Sequence, residues 1–213
     1  VHSHHSSEIE PNLIIVQKRP YSSLFVVGQM WNSYFICNDN ERMYIFDQHA
    51  AHERVLYEKL HRQLKNDNIK ILSQALLFPI TLSLSHSEID LYHQQAKVLS
   101  DIGFDIELLS GDTLSVRSVP EILVDKNVEK LIKDVLSNEL VETAKGTIQN
   151  TIDLIIATCA CHAAVRFGDI LSINEIRALL EQMDTIDLSS HCPHGRPVIE
   201  VKNRNEIERW FHR

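Results

Sequence analysis

Residues 43 to 58 change character in a single step. Met43-Tyr-Ile-Phe46 is a β-branched and aromatic run suited to a buried strand, and Asp47-Gln-His-Ala-Ala-His-Glu53-Arg-Val-Leu-Tyr-Glu58 follows with no turn residues between them. An acid at that junction ends the strand and caps the helix. Whatever the fold, it must set a helix start loaded with ionisable groups at the end of a buried strand. His49 and Glu53 are four residues apart, so they project from one helix face and could grip one cation, and Asp47 could join them from the strand end. Glu58 lies roughly 140° round the helix from Glu53, which suits a second metal or an outer position. Helix capping without a metal also accounts for acids at this place, because they complement the positive end of the helix dipole.

Two later segments carry metal-binding or phosphate-binding chemistry. Ala160-Cys161-His162-Ala-Ala-Val-Arg166 sits within a long apolar stretch, 148 to 166, that predicts a central helix. A buried cysteine is commonly inert, but Cys161 could reach the first cluster if this helix lines it, and Arg166 could meet a phosphate. His191-Cys192-Pro-His194-Gly-Arg196-Pro197 gives Cys-x-His on a loop stiffened by two prolines and a glycine, a ligand pairing that zinc favours, with Arg196 as a charged fork for phosphate. A tight helix-to-strand turn needs the same prolines and glycine without any metal.

The remaining pattern predicts an α+β fold, a sandwich of sheet and helices. Strands are expected at Leu13–Val16, Leu24–Val27, Tyr34–Cys37, Met43–Phe46 and Val198–Val201, with helices at 50–64, 148–166 and 174–183. Between them, the apolar stretch 69–84 is confined by Pro79 to a sheet edge or a connecting segment, and a helix at 87–102, a hairpin at 104–119 and a helix at 128–138 make a βαββα-like unit. Residues 11–74 and 147–213 thus form one subdomain of sheet plus helices, and 75–146 a smaller α/β subdomain inserted into it. Residues 1–10 read as a disordered linker or tag remnant.

Charge and cysteine usage limit the partners. The net charge is −8, of which residues 81 to 150 carry −6 (twelve acids against six bases), which argues against a strong independent grip on nucleic acid. No run is long and apolar enough to span a membrane. Cys37, Cys159, Cys161 and Cys192 make no disulfide framework, which points to a reducing cytosol.

Taken together, Asp47-Gln-His-Ala with Glu53 and Glu58 resembles the endonuclease motif in the C-terminal domain of the MutL family of DNA mismatch-repair proteins. Ala160-Cys161 through Arg166 and Cys192-Pro-His194-Gly-Arg196-Pro197 are similar to two further motifs of that domain, in the same order. His162 departs from the pattern, since nuclease-type members often have a basic residue after the Ala-Cys pair. The resemblance implies a homodimerisation module that is also a latent nicking endonuclease, with 75–146 as a regulatory subdomain. It implies zinc bound by Asp47, His49, Glu53, Cys192 and His194, and manganese or magnesium for cleavage. Catalysis would fall to Asp47, His49, Glu53, Glu58 and Arg196, with Cys161, His162 and Arg166 in support.

The same resemblance implies partners beyond a second copy: DNA, held weakly by this domain alone, and the mismatch-recognition protein MutS, met through a full-length protein whose ATP site lies in an N-terminal half. A cytoplasmic, nucleoid-associated location follows. Gln74-Ala-Leu76-Leu77-Phe78 resembles the short peptides that bacterial proteins insert into the replication sliding clamp. An apolar strand packing in its own core explains that pentapeptide equally well. A dimerisation domain with a structural zinc and no cutting activity is the alternative for the whole.

Overall fold

The computed structural model describes residues 20–66, 71–137, 143, 148–166, 168–186 and 197–212. The expected strand at 13–16 and the Cys192-x-His194-x-Arg196 segment lie outside them. Four strands, β1 (Phe25–Met30), β2 (Tyr34–Asn38), β3 (Arg42–Asp47) and β7 (Ile199–Asn203), form an antiparallel sheet in the order β1-β2-β3-β7. Three more, β4 (Ser73–Ser83), β5 (Asp105–Ser110) and β6 (Thr113–Pro120), form a second antiparallel sheet in the order β4-β6-β5. The described helices of a turn or more of α-helix are α1 (Gln48–Lys65), α2 (His86–Asp101), α3 (Val128–Val135), α4 (Ile148–Ala163), α5 (Ile173–Asp184) and α6 (Arg204–Trp210). The fold is α+β, as the alternation of patterns predicts.

Local chemistry sets the boundaries. The Asp47 carboxylate accepts from the Ala50 N–H at 2.9 Å and caps α1, so the helix begins at Gln48, two residues before the sequence pattern alone suggests. Reciprocal capping boxes start α2 (Ser85 with Glu88) and α5 (Ser172 with Glu175). Gly103 follows the end of α2 at φ 103°, and a Cβ there would stand 2.5 Å from Ser73 Oγ, so this turn needs glycine on both counts. Helix α6 escapes the sequence reading because seven residues carry too little periodicity.

Two cores result, and α1 belongs to both. Ala50, Ala51 and Val55 pack under the four-stranded sheet with Leu179, Leu180 and Met183 of α5, around Phe35 and Phe46 stacked at 4.6 Å. One turn on, Leu56 and Leu60 enter the other core with Leu99, Leu114, Val116, Leu131 and Ile155. Helix α4 closes that second core, with Ile155, Ile156, Cys159 and Ala160 fully buried, as its apolar character predicts.

Pro79 does sit on an edge strand. Ala75 pairs with Ser118 and Ile80 with Val116, so residues 76–79 bulge opposite the single residue 117. Leu76 turns into the core, while Leu77 and Phe78 are 89% and 77% exposed, so packing within the chain does not explain those two side chains. Among the described residues no helix is long and apolar enough to cross a membrane.

Candidate metal centre

The fold brings α1 and α4 side by side, and three donors of different chemistry meet between them. A ring nitrogen of His49, a carboxylate oxygen of Glu53 and the Cys161 sulfur all lie within 4.8 Å of one another. His49 Nε2 stands 3.7 Å from Glu53 Oε2, as their i, i+4 spacing requires. Glu53 is almost wholly buried, His49 and Cys161 half-buried. Nitrogen, oxygen and thiolate sulfur are the zinc donor set, and the group fits a divalent ion of that class.

The second ring nitrogen of His49 supports the fit. His49 Nδ1 lies 2.7 Å from the carbonyl oxygen of Val165, and because a carbonyl only accepts, Nδ1 carries a proton, which leaves Nε2, on the Glu53 side, as the atom a metal would take. A ligating imidazole is held in this way in metal sites generally. The Val165 N–H in turn donates to His52 Nδ1 at 3.1 Å. That bond diverts an N–H that a longer helix would give to the Cys161 carbonyl, and the Arg166 N–H goes to Asp169 Oδ2 at 2.7 Å. This is why α4 stops at Ala163 although the apolar pattern runs to 166.

The other expected residues take varied positions. Asp47 spends one carboxylate oxygen on the helix cap and falls outside the three-donor group. Glu58 receives a hydrogen bond from Arg54 at 2.7 Å, and Arg54 in turn lies 5.9 Å over the Tyr57 ring. His162 reaches the other way, to Asp134 of α3 at 2.9 Å. Arg166 is exposed at the rim. Cys161, expected in a supporting place, is one of the three donors. Cys192, His194 and Arg196 lie outside the described residues; close after them in sequence, the Val198 carbonyl accepts from the Asp47 N–H at 3.1 Å.

Two polar groups beside the centre, one buried and one half-buried, were not singled out from sequence. Gln48, fully buried, donates through its amide to the carbonyls of Asn32, Arg166 and Asp169, and accepts from Gln29 at 2.6 Å. It ties the β1–β2 turn, Arg166 and Asp169 to the start of α1. The turn itself holds Trp31 and Asn32 at φ 54° and 48°, both left-handed. His52 is the other, and its position three residues after His49 on the same helical face was the available signal. Burial chiefly, then Lys126 and His49, hold His52 below the ordinary histidine range. Burial also pushes the Cys159 thiol up to about 12, which marks it as inert packing beside the half-buried Cys161.

Comparison with known proteins bears on what such a centre is for. The family model described as the MutL C terminal dimerisation domain matches residues 27–171. The DNA mismatch repair protein MutL of Geobacter sulfurreducens is 38% identical over 193 residues, 91% of this chain and 32% of that protein. That of Geotalea daltonii is 38% identical over 198 residues, 93% and 33% respectively. The Coxiella burnetii MutL is 34% identical over 214 residues, covering 96% of this chain and 37% of its own length. The chain therefore spans about a third of the length of these relatives.

Proposed function

The chain belongs to the MutL C-terminal dimerisation domain family, and from that premise we propose that it serves DNA mismatch repair as a homodimerisation module and a metal-dependent nicking endonuclease. The observation that carries the nuclease reading is the meeting of His49, Glu53 and Cys161 from two separate helices within 4.8 Å. A purely capping role for the acids would need neither Cys161 nor a buried Glu53. When bound, a divalent cation supplies activation of water and stabilisation of charge for phosphodiester hydrolysis, with zinc at rest and manganese or magnesium for cleavage. His49, held by Val165, would bind such an ion through Nε2, Glu53 through its carboxylate and Cys161 through its sulfur. Asp47, Cys192 and His194 would complete the ligands. The tether of Asp47 to Val198 supports this, since Arg196 is then two residues from a point fixed beside the centre. Arg196 and Arg166 neutralise the scissile phosphate as guanidinium forks, and Glu58 and His162 act from outside the ligand set.

The second copy docks on the outer face of the four-stranded sheet. Val26, Phe35, Cys37, Tyr44 and Phe46 face the core, and the alternating residues Phe25, Ile36, Met43 and Ile45 turn outward with Val27. Phe25 is 66% and Val27 56% exposed, an apolar surface suited to burial against its copy. The inserted unit, 75–146, is the regulatory part, and its bulge offers Leu77 and Phe78, with Gln74 and Leu76 flanking, to a sliding clamp. Contacts with MutS, the ATP-driven gating and a cytoplasmic, nucleoid-associated setting belong to the full-length protein. The acidic balance, −8, makes DNA binding by this domain weak, so the clamp and the second half supply the grip.

The test is nicking of supercoiled plasmid by the full-length protein with manganese and clamp. Wild type is expected to nick and Glu53→Ala to fall to background. Zinc retention with no nicking under those conditions would leave a dimerisation domain with a structural zinc.

A further inference from the structure

The metal reading accounts for His49, Glu53 and Cys161 but leaves unexplained why a fourth group, the imidazole of His52, is set into the same junction. Resting on that reading, we propose that His52 is a positioning residue of the centre, which locks the end of α4 onto α1 and so sets His49 and Cys161 in register. Both backbone polar atoms of Val165 are gripped by one face of α1: the carbonyl oxygen by His49 Nδ1 at 2.7 Å, the N–H by His52 Nδ1 at 3.1 Å. Val165 stands four residues after Cys161. A shift of Val165 therefore moves two ligands at once, the ring of His49 through its hydrogen bond and the sulfur of Cys161 through the helix end.

The partners also fix the state of each ring. A backbone N–H only donates, so His52 Nδ1 accepts, and His52 carries no proton there. A carbonyl only accepts, so His49 Nδ1 donates, and in the neutral ring the lone pair is on Nε2. Opposite tautomers three residues apart on one helix are thus imposed by a single residue of the neighbouring chain segment. What His52 contributes is an acceptor atom at a fixed point, on the wall of a cavity of about 210 Å³ whose lining includes Val165, Leu171, Glu175 and Gln182.

Two substitutions separate acceptor from shape. His52→Asn keeps an acceptor where Nδ1 stood but loses bulk, whereas His52→Phe keeps a flat ring and loses the acceptor; His52→Leu repeats the second case should the Phe variant fail to fold. Cobalt(II) binding to the metal-free chain is followed by absorbance, and the His49 tautomer in the metal-free chain by nitrogen-15 imidazole shifts. Removing the acceptor should weaken cobalt binding by about tenfold to a hundredfold, the usual effect of losing a group that orients a ligand. It should also release His49 into a mixture of tautomers, while His52→Asn keeps the wild-type tautomer and affinity.

Wild-type affinity and tautomer in the Phe or Leu variant would overturn the proposal, as would an Asn variant as weak as they are, which would make shape the cause. The parent reading fails separately: wild type would then bind no cobalt, or Cys161→Ser would bind it unchanged, and the role of His52 would fall with it.

Discussion

The two halves of α1 are built on opposite rules. From Leu56 to Leu60 the helix buries only hydrocarbon, among Leu131, Ile132, Ile155 and Leu114. From Gln48 to Arg54, less than two turns earlier, it buries a carboxamide, a carboxylate and a guanidinium: Gln48, Glu53 and Arg54 are 0%, 2% and 9% exposed. Among the described residues the remaining buried polar groups are Gln95 and Ser115, in the other unit. Burying a carboxylate opposes folding, and a leucine at the same place would be easier to fold around. The difference teaches that the apolar half holds the helix so that the polar half can present groups whose value lies in what they bind.

The contrast can be broken most severely from its stable side. Leu60→Ala should lower the unfolding free energy by about 2–5 kcal/mol in urea titration, while the folded fraction binds cobalt as wild type does. A parallel loss of metal affinity would show that the halves are not separable. The reverse experiment is Glu53→Leu, which should abolish cobalt binding but leave the metal-free protein within about 1 kcal/mol of wild type, or more stable. If that variant instead lost several kcal/mol, Glu53 would be a structural group.

How much of this was legible follows the same division. The β3-to-α1 junction, the central α4, the edge strand with Pro79 and the βαββα unit were readable because each rests on local pattern: a capping acid, an apolar run, a proline, a period of two. So were His49 and Glu53, which share a helix face by spacing alone. The membership of Cys161 was not, because it depends on how two helices separated by some hundred residues pack, and sequence offered only that it could reach the cluster if that helix lined it. The Gln29–Gln48 pair and the His52–Val165 bond were illegible for the same reason, since a side chain gripping a distant backbone leaves no periodicity. The early end of α4 is a consequence of those bonds, and the apolar pattern that overran it carries no trace of them.

Two cysteines one residue apart from adjacency sharpen the comparison further. Cys159 faces the apolar core with its thiol pushed to about 12, whereas Cys161 faces the centre. Iodoacetamide should modify Cys161 in the folded metal-free chain, spare Cys159 until unfolding, and spare both once zinc is added. The pH dependence has a definite sign. The unfolded thiol ionises near pH 9 and the buried one near 12, so the unfolded chain holds fewer protons between those values. Stability from the buried thiol is complete below pH 9 and is lost as pH rises toward 12; Cys37, pushed up likewise by burial, adds to the fall. Chemical unfolding at pH 8 and 10 should show the loss, and Cys159→Ala should reduce its slope.

The smallest effect concerns the border between the halves. Glu58 is paired with Arg54 at 2.7 Å, and Glu58→Gln, which keeps an acceptor for that guanidinium, should change cobalt affinity by no more than a few-fold. A tenfold or greater loss of affinity would extend the polar half by one turn and bring Glu58 into the centre.

The most direct measurement is zinc retained per chain, by elemental analysis after zinc loading and gel filtration, for the wild type, His49→Ala and Cys161→Ser. A centre built from α1 and α4 predicts that wild type keeps zinc and that each variant loses it while its circular dichroism stays that of the folded chain. Full zinc content in Cys161→Ser, or none in the wild type, would contradict it.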